Sequence, residues 1–175
     1  MSIDLKKAIR TVPDFPKPGV LFFDITTLLN DPKAFGQSLD LFEEYLREHR
    51  VNRIVAIDSR GFLFGGALAD RMNLPLAVIR KKGKLPFKTY QADYALEYGT
   101  DQIEIHIDAA GQGDQVAIID DLLATGGTLE AAVKLVEKTG AEVAAIGMVI
   151  ELTFLNGRGR FTDYNLLSLV EYDSE

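Results

Sequence analysis

The sequence predicts an α/β fold with a central, mostly parallel sheet flanked by helices. Three short aliphatic runs carry this: RIVAID (53–58), LPLAVI (74–79) and QVAIID (115–120). RIVAID and QVAIID read as short buried strands, and LPLAVI as the strand between them. Helical patterns alternate with them, and strand–helix–strand succession produces right-handed crossovers and parallel pairing. The 175 residues suit one domain spanning 1–175, large enough for a core without disulfides.

In chain order, SIDLKKAIR reads as a short helix capped by Ser2, with Ile3, Leu5 and Ile9 near one face. PDFPKPG cannot continue it, because proline lacks an N–H and restricts its predecessor. VLFFDITTLL follows as extended or irregular chain. Asp31 and Pro32 open a long helix with Phe35, Leu39, Phe42 and Leu46 as its apolar stripe. After the strand RIVAID comes the helix SRGFLFGGALADRMN, then the strand LPLAVI. From Arg80 to about Tyr94 the chain reads as basic and irregular. YALEYG and DQIEIHID form a hairpin in which Ile103, Ile105 and Ile107 alternate with Glu104, His106 and Asp108, the period of a half-exposed strand. QVAIID is the next buried strand, and GTLEAAVKLVEKTG a helix ended by Gly140. EVAAIGMVIEL and YNLLSLV are further strands, with NGRGRF between them as a loop or short helix.

Composition excludes several classes. There is no cysteine, hence no disulfide and no thiolate metal site. A net charge of −7 argues against a general nucleic-acid binder. The N-terminus lacks the apolar core of a signal peptide, and no apolar stretch is long enough to span a bilayer. A soluble, cytoplasmic chain without nucleic-acid or membrane partners is the expectation.

The segment VAIIDDLLATGGT (116–128) concentrates the chemistry. Ligands of open α/β sheets bind beyond the carboxyl ends of the strands. Small residues after Asp120 and Asp121 let backbone N–H groups approach a phosphate at the positive end of the helix beginning near Thr128. Thr125 and Thr128 add hydroxyl donors. Carboxylates repel phosphate but accept hydrogen bonds from sugar hydroxyls, so a ribose 5-phosphate suits the pair of features. The segment lacks the Gly-Lys-Ser/Thr ending of a Walker A loop, and no G-x-G-x-x-G follows a strand.

This segment resembles the phosphoribosyl-pyrophosphate (PRPP) signature of type I phosphoribosyltransferases. FPKPGVLFFDITTLLNDP, IDSRGFLFGGALA, RKKGKLP and YALEYGTDQIEIH resemble, in the same order and at similar spacing, the adenine phosphoribosyltransferases of that family. The resemblance covers nearly the whole chain. It implies the type I phosphoribosyltransferase fold, with a flexible catalytic loop and a small hood from the N-terminal segment. It implies transfer of the 5-phosphoribosyl group from PRPP to adenine, giving AMP and pyrophosphate, with Mg2+ held mainly by substrate oxygens and no direct protein ligand. A homodimer is implied as well.

By the same resemblance, Ala124, Thr125, Gly126, Gly127 and Thr128 hold the 5-phosphate, and Asp120 and Asp121 take the ribose hydroxyls. Asp58, Ser59, Arg60 and Gly61 cradle pyrophosphate, with a non-proline cis bond expected at Asp58–Ser59. Arg80, Lys81 and Lys84, with Lys82 and Lys88 nearby, add positive charge for pyrophosphate; alone, such a run is usually a solvated basic loop. Glu97 and Tyr98 are the catalytic pair, and about 82–94 forms a lid excluding water. Val20, Leu21 and Phe22 line the adenine slot. Phe23 stands where the family commonly has arginine. Ala124 stands where enzymes for 6-oxopurines usually carry an acid, which fits adenine. His49 and His106 are read as structural. Two other readings stay open: a phosphoribosyltransferase for another base, and a PRPP-sensing regulator without catalysis. The absent acid at Ala124 weighs against the first, and retention of Arg60 and Glu97 against the second.

Overall fold

A computed structural model describes residues 3–96 and 99–174. Its frame is a seven-stranded sheet ordered β5-β6-β4-β3-β7-β8-β9. The strands are β3 (Arg53–Ile57), β4 (Leu76–Lys81), β5 (Thr89–Leu96), β6 (Gly99–His106), β7 (Gln115–Leu123), β8 (Glu142–Leu152) and β9 (Leu166–Tyr172). β4, β3, β7, β8 and β9 run parallel, and the β5–β6 hairpin closes one edge antiparallel.

The central strands alternate between two cores. Val55 and Ile57 of β3, with Val116 and Ile118 of β7, face α5 (Gly127–Lys138). Ile54 of β3, with Ala117 and Ile119 of β7, faces α3 (Pro32–Glu48) and α4 (Gly61–Met72). Both faces are therefore apolar, which is why these strands read as continuous aliphatic runs. Asp31 caps α3 by accepting from the N–H groups of Lys33 (2.9 Å) and Ala34 (3.3 Å), as its sequence pattern implies.

The N-terminal segment departs from expectation. Its helix is only α1 (Leu5–Ala8), and Asp4 caps it by accepting from the Lys6 N–H at 3.1 Å. Ser2 lies outside the described residues. β1 (Arg10–Pro13) and β2 (Leu21–Asp24) then pair antiparallel as a separate ribbon, and the short α2 (Thr26–Leu29) follows. This ribbon is the hood.

Arg10 Nη2 lies 2.6 Å from Asp24 Oδ2, and the Thr26 N–H donates to Asp24 Oδ1 at 2.9 Å. The Arg10 hydrogen bond, then those from Thr26, lower the Asp24 pKa from 3.8 to about 2. A depressed carboxylate contributes stability above its unfolded pKa and loses it as pH falls through the folded value. Asp24→Asn is therefore expected to cost roughly 1 kcal/mol at neutral pH. The cost should vanish near pH 2. Thermal melts of both proteins from pH 7 to pH 2 check this; a difference independent of pH would refute it.

The segment read as a lid, about 82–94, is strand from Thr89 onward. Residues 89–96 form β5, paired to β6 from Thr89↔His106 to Leu96↔Gly99. Only the stretch between β4 and β5 is irregular. Extended pairing prevails because Ile103 and Ile105 of β6, together with Ala92 of β5, bury one face of the hairpin in the α5-side core.

Candidate functional site

β3 is the topological centre, with β4 on one side and β7 on the other. The crevice beyond the ends of adjacent strands at such a switch point is where α/β sheets take ligands. A cleft of about 360 Å³ opens there, lined by Asp58, Ser59, Arg60, Lys81, Tyr94 and the run Asp120–Leu129.

Asp120 and Asp121 lie inside β7 rather than beyond it. β3 stops pairing with β7 at Ile119, while β8 follows β7 on through Leu123. The acid pair therefore emerges where one neighbour has ended and the other still holds the backbone rigid. Asp121 is only 6% exposed. Its Oδ2 accepts from Arg60 Nε at 2.5 Å. Burial would lower the Arg60 pKa, but the carboxylates of Asp121, Asp120 and Asp24 outweigh it and raise it. Asp24 thus brings the end of the hood electrostatically to the cleft. Burial, then the neighbouring Asp121 charge, pushes Asp120 well above the usual carboxylate range.

After β7, Gly126 takes φ +85° and starts α5 without any side-chain cap. Only a residue without Cβ adopts this turn cheaply. The first N–H groups of α5 are left to an incoming acceptor, and the helix dipole favours an anion there. Opposite, the Asp58–Ser59 bond is cis, as expected, and Arg60 precedes α4.

Positive charge approaches from β4. Arg80 Nε donates to Asp58 Oδ2 at 3.1 Å, and Lys81 Nζ lies 3.1 Å from Asp101 Oδ2. Asp101, which sequence reasoning passed over, also accepts from the Tyr94 hydroxyl at 2.9 Å. Burial and this hydrogen bond push the Tyr94 pKa up to about 12. Arg80, Lys82, Lys84 and Lys88 do not line the cleft, and neither does Gly61. Glu97 and Tyr98 lie outside the described residues.

Val20, Leu21 and Phe22 also do not line this cleft. They lie on or beside β2, partly buried, and Phe22 packs edge-on to Phe15 with ring centroids 5.1 Å apart. Phe23 stacks on Tyr172 with ring centroids 3.8 Å apart, and the Lys6 ammonium lies 4.6 Å from the Tyr172 ring centroid. The phenyl ring in place of arginine therefore joins the hood to β9. His49 packs edge-on against Tyr45 at 4.5 Å, and His106 Nε2 accepts from the Phe87 N–H at 3.4 Å.

Glu104 corrects the half-exposed reading of its strand. It is 3% exposed. Its Oε1 accepts from the N–H groups of Lys84 and Leu85, each at 3.0 Å, and Oε2 from Thr89 Oγ1 at 3.2 Å. Burial raises its pKa, but these hydrogen bonds prevail and the net shift is downward. The period of two was correct; what covers the polar face is the connection between β4 and β5. Glu104→Leu leaves two N–H groups without an acceptor and should cost roughly 2–3 kcal/mol. Urea denaturation measures that cost, and hydrogen exchange at the Lys84 and Leu85 amides should accelerate selectively.

Among the described residues, no three His, Asp or Glu side chains converge as a metal cage. No helix there is long and apolar enough to cross a membrane.

The chain matches the phosphoribosyl transferase domain family over residues 25–173. It is 50% identical over 171 residues to an adenine phosphoribosyltransferase of Methanococcus vannielii, covering 98% of this chain and 99% of the relative. It is likewise 50% identical over 169 residues to that of Chloroflexus aurantiacus, covering 97% and 98%. The crystal structure of adenine phosphoribosyltransferase from Thermoanaerobacter pseudethanolicus superposes with a TM-score of 0.92 at 47% identity, covering 97% and 98% of the two chains. The Saccharomyces cerevisiae enzyme, crystallised with an imino-altritol bisphosphate and adenine, gives 0.90 at 38% identity, covering 95% and 96%. With the DD-turn at its switch point and relatives matched nearly end to end, the chain belongs to the phosphoribosyl transferase family and, within it, to the adenine phosphoribosyltransferases.

Proposed function

We propose that the protein salvages purine by transferring the 5-phosphoribosyl group of PRPP to adenine. The ribose C1–O bond to pyrophosphate breaks and a C1–N9 bond to adenine forms. N9 gives up its proton, and AMP and pyrophosphate leave. The observation that carries this reading is the cleft itself. It joins uncapped helix N–H groups, a carboxylate pair and a basic rim within one space.

The roles follow from charge. Ala124, Thr125, Gly126, Gly127 and Thr128 receive the 5-phosphate at the start of α5. Asp120 and Asp121 accept from the ribose hydroxyls. Asp58, Ser59, Arg60 and Gly61 hold pyrophosphate, with Arg80, Lys81 and Lys84 reinforcing its charge. Arg60 is paired with Asp121 and so turns from that carboxylate toward pyrophosphate when substrate enters. Val20, Leu21 and Phe22 supply the apolar adenine slot at the hood. Glu97 manages the purine proton or stabilises the ribosyl cation, with Tyr98 beside it. Asp58, Asp120 and Asp121 are hard-oxygen groups that suit a magnesium ion carried on substrate oxygens and water. Magnesium, when bound, supplies positive charge to the leaving pyrophosphate. Residues 1–175 act as one domain, in the cytoplasm and as a homodimer.

The test is incubation with PRPP, magnesium and equimolar adenine, hypoxanthine, guanine and xanthine. AMP alone is expected. Another mononucleotide would overturn the base assignment, and no nucleotide with PRPP still bound would overturn catalysis.

A further inference from the structure

The segment NGRGRF between β8 and β9 has no role in the reading above. It follows a short 3₁₀ turn at Thr153–Leu155 and forms a second at Gly157–Arg160, packed directly behind the phosphate loop. A Cβ at Gly157 would run into the Ala124 carbonyl oxygen and stand 3.1 Å from the Gly126 nitrogen. A Cβ at Gly126 would stand 3.0 Å from the Phe161 ring, 3.1 Å from the Gly157 oxygen and 3.2 Å from Arg160 Cδ. At Gly157 loop and turn thus meet backbone to backbone, and the Phe161 ring and the Arg160 side chain close in on Gly126 from the same turn.

The turn is itself clamped to the sheet. Arg158 Nε donates to both oxygens of Glu151 at 3.0 Å, and Nη2 to Oε2 at 2.5 Å. Its remaining donors reach the Leu166 carbonyl at 3.0 Å and Ser168 Oγ at 3.1 Å. Ser168 Oγ in turn donates to Glu151 at 2.6 Å. Glu151 is 3% exposed and stands opposite Leu123, the last β7 residue before the loop. On the other side, Arg160 Nη1 donates to Glu130 in the first turn of α5 at 2.7 Å. The turn is therefore tied to β8, to β9 and to the helix that the loop opens.

We propose that Gly157 and Arg158 are positioning residues for the phosphate loop: the glycine sets the height of the Ala124–Gly126 backbone, and the arginine fixes the turn on which that backbone rests. The proposal rests on reading 124–128 as the 5-phosphate site. Hydrogen bonds from backbone N–H groups weaken steeply with misalignment. A displaced loop therefore loses affinity for ligands that carry the 5-phosphate, and for those alone. Adenine binding and the bond exchange at C1 depend on other residues.

The experiment compares wild type, Gly157→Ala and Arg158→Lys. Lysine keeps the charge but loses the planar fork that reaches Glu151, Leu166 and Ser168 together. Steady-state kinetics should show KM for PRPP raised about tenfold in each variant, a loss of roughly 1.4 kcal/mol of binding. KM for adenine and kcat at saturating PRPP should stay within about twofold of wild type. Calorimetry with ribose 5-phosphate should weaken in parallel. A lowered melting temperature with unchanged KM for PRPP would make the turn purely structural and overturn the proposal, as would a fall in kcat alone. If Gly157→Ala does not fold, Arg158→Lys carries the comparison. Failure of the underlying site reading is distinguishable. In that case wild type would not bind ribose 5-phosphate, and Thr128→Val would leave KM for PRPP unchanged.

Discussion

Replacing Asp120 and Asp121 together by asparagine is expected to lower kcat/KM for PRPP by about a hundredfold or more while the chain stays folded. Each carboxyl group is assigned to a hydrogen bond with a ribose hydroxyl, and loss of such a bond inside the cleft costs roughly 1–3 kcal/mol. Asp121 also holds Arg60 at 2.5 Å, so its amide leaves a guanidinium without its carboxylate at the mouth of the cleft. The two positions differ in stability. Asp120 has its pKa raised by burial and by the Asp121 charge. A raised carboxylate contributes stability below its unfolded pKa and loses it as pH rises through the folded value. Asparagine mimics the protonated form, so Asp120→Asn alone should be no less stable than the parent at neutral pH and should flatten the pH dependence of melting. Calorimetric titration with PRPP decides the binding claim, and melts across pH decide the linkage. Unchanged PRPP affinity in the folded double variant would remove the carboxylates from the ribose site.

Gly61→Ala should cost both stability and activity. A Cβ at this first residue of α4 would stand 2.7 Å from the Ile119 carbonyl oxygen and 2.9 Å from Asp120 Oδ1. Neither the backbone oxygen of a central strand nor a carboxyl held by the Asp121 N–H at 2.9 Å can give way cheaply. Overpacking of this kind costs roughly 1–3 kcal/mol. At 2–4 °C per kcal/mol for a chain of this size, melting should fall by roughly 2–12 °C. The functional loss is expected to exceed what that destabilisation explains. Gly61 is the contact that brings the Asp58–Arg60 loop against the Asp120–Asp121 pair, so moving it separates the two halves of the cleft. Gly66→Ala in the same helix is the control: nothing lies within 4 Å of its Cβ position. It should be neutral or stabilising by up to about 1 kcal/mol. Equal losses of activity in both variants would refute the steric argument for Gly61.

The centre of the parallel sheet was legible because β3 and most of β7 are buried on both faces. RIVAID and QVAIID must be aliphatic throughout to fill one core toward α5 and another toward α3 and α4. The phosphate loop was equally legible, since acids, glycines and hydroxyls stand within one local segment whose geometry is set by a strand end and a helix start. The cleft then gathered Asp58, Ser59, Arg60, Lys81, Asp120, Asp121 and 124–128, as the motifs implied.

Local pattern could not decide what covers a surface. Alternation placed Ile103 and Ile105 inside and turned Glu104 the other way. Whether that other side meets water or the backbone of 84 and 85 depends on where a distant connection lies. The same holds for Asp101, which acquires meaning only through Lys81 on β4 and Tyr94 on β5. It holds for Phe23, whose partner Tyr172 stands near the far end of the chain. Residues 10–13 became a strand only because 21–24 returned to pair with them. By itself, then, the sequence determined the elements and the chemistry of its contiguous motifs, because periodicity, turn residues and charge act over a few neighbouring positions. The tertiary structure alone decided which polar groups are buried, which cations reach the cleft, and that the 157–161 turn backs the phosphate loop. Those outcomes depend on contacts between residues far apart in sequence, which no local pattern encodes.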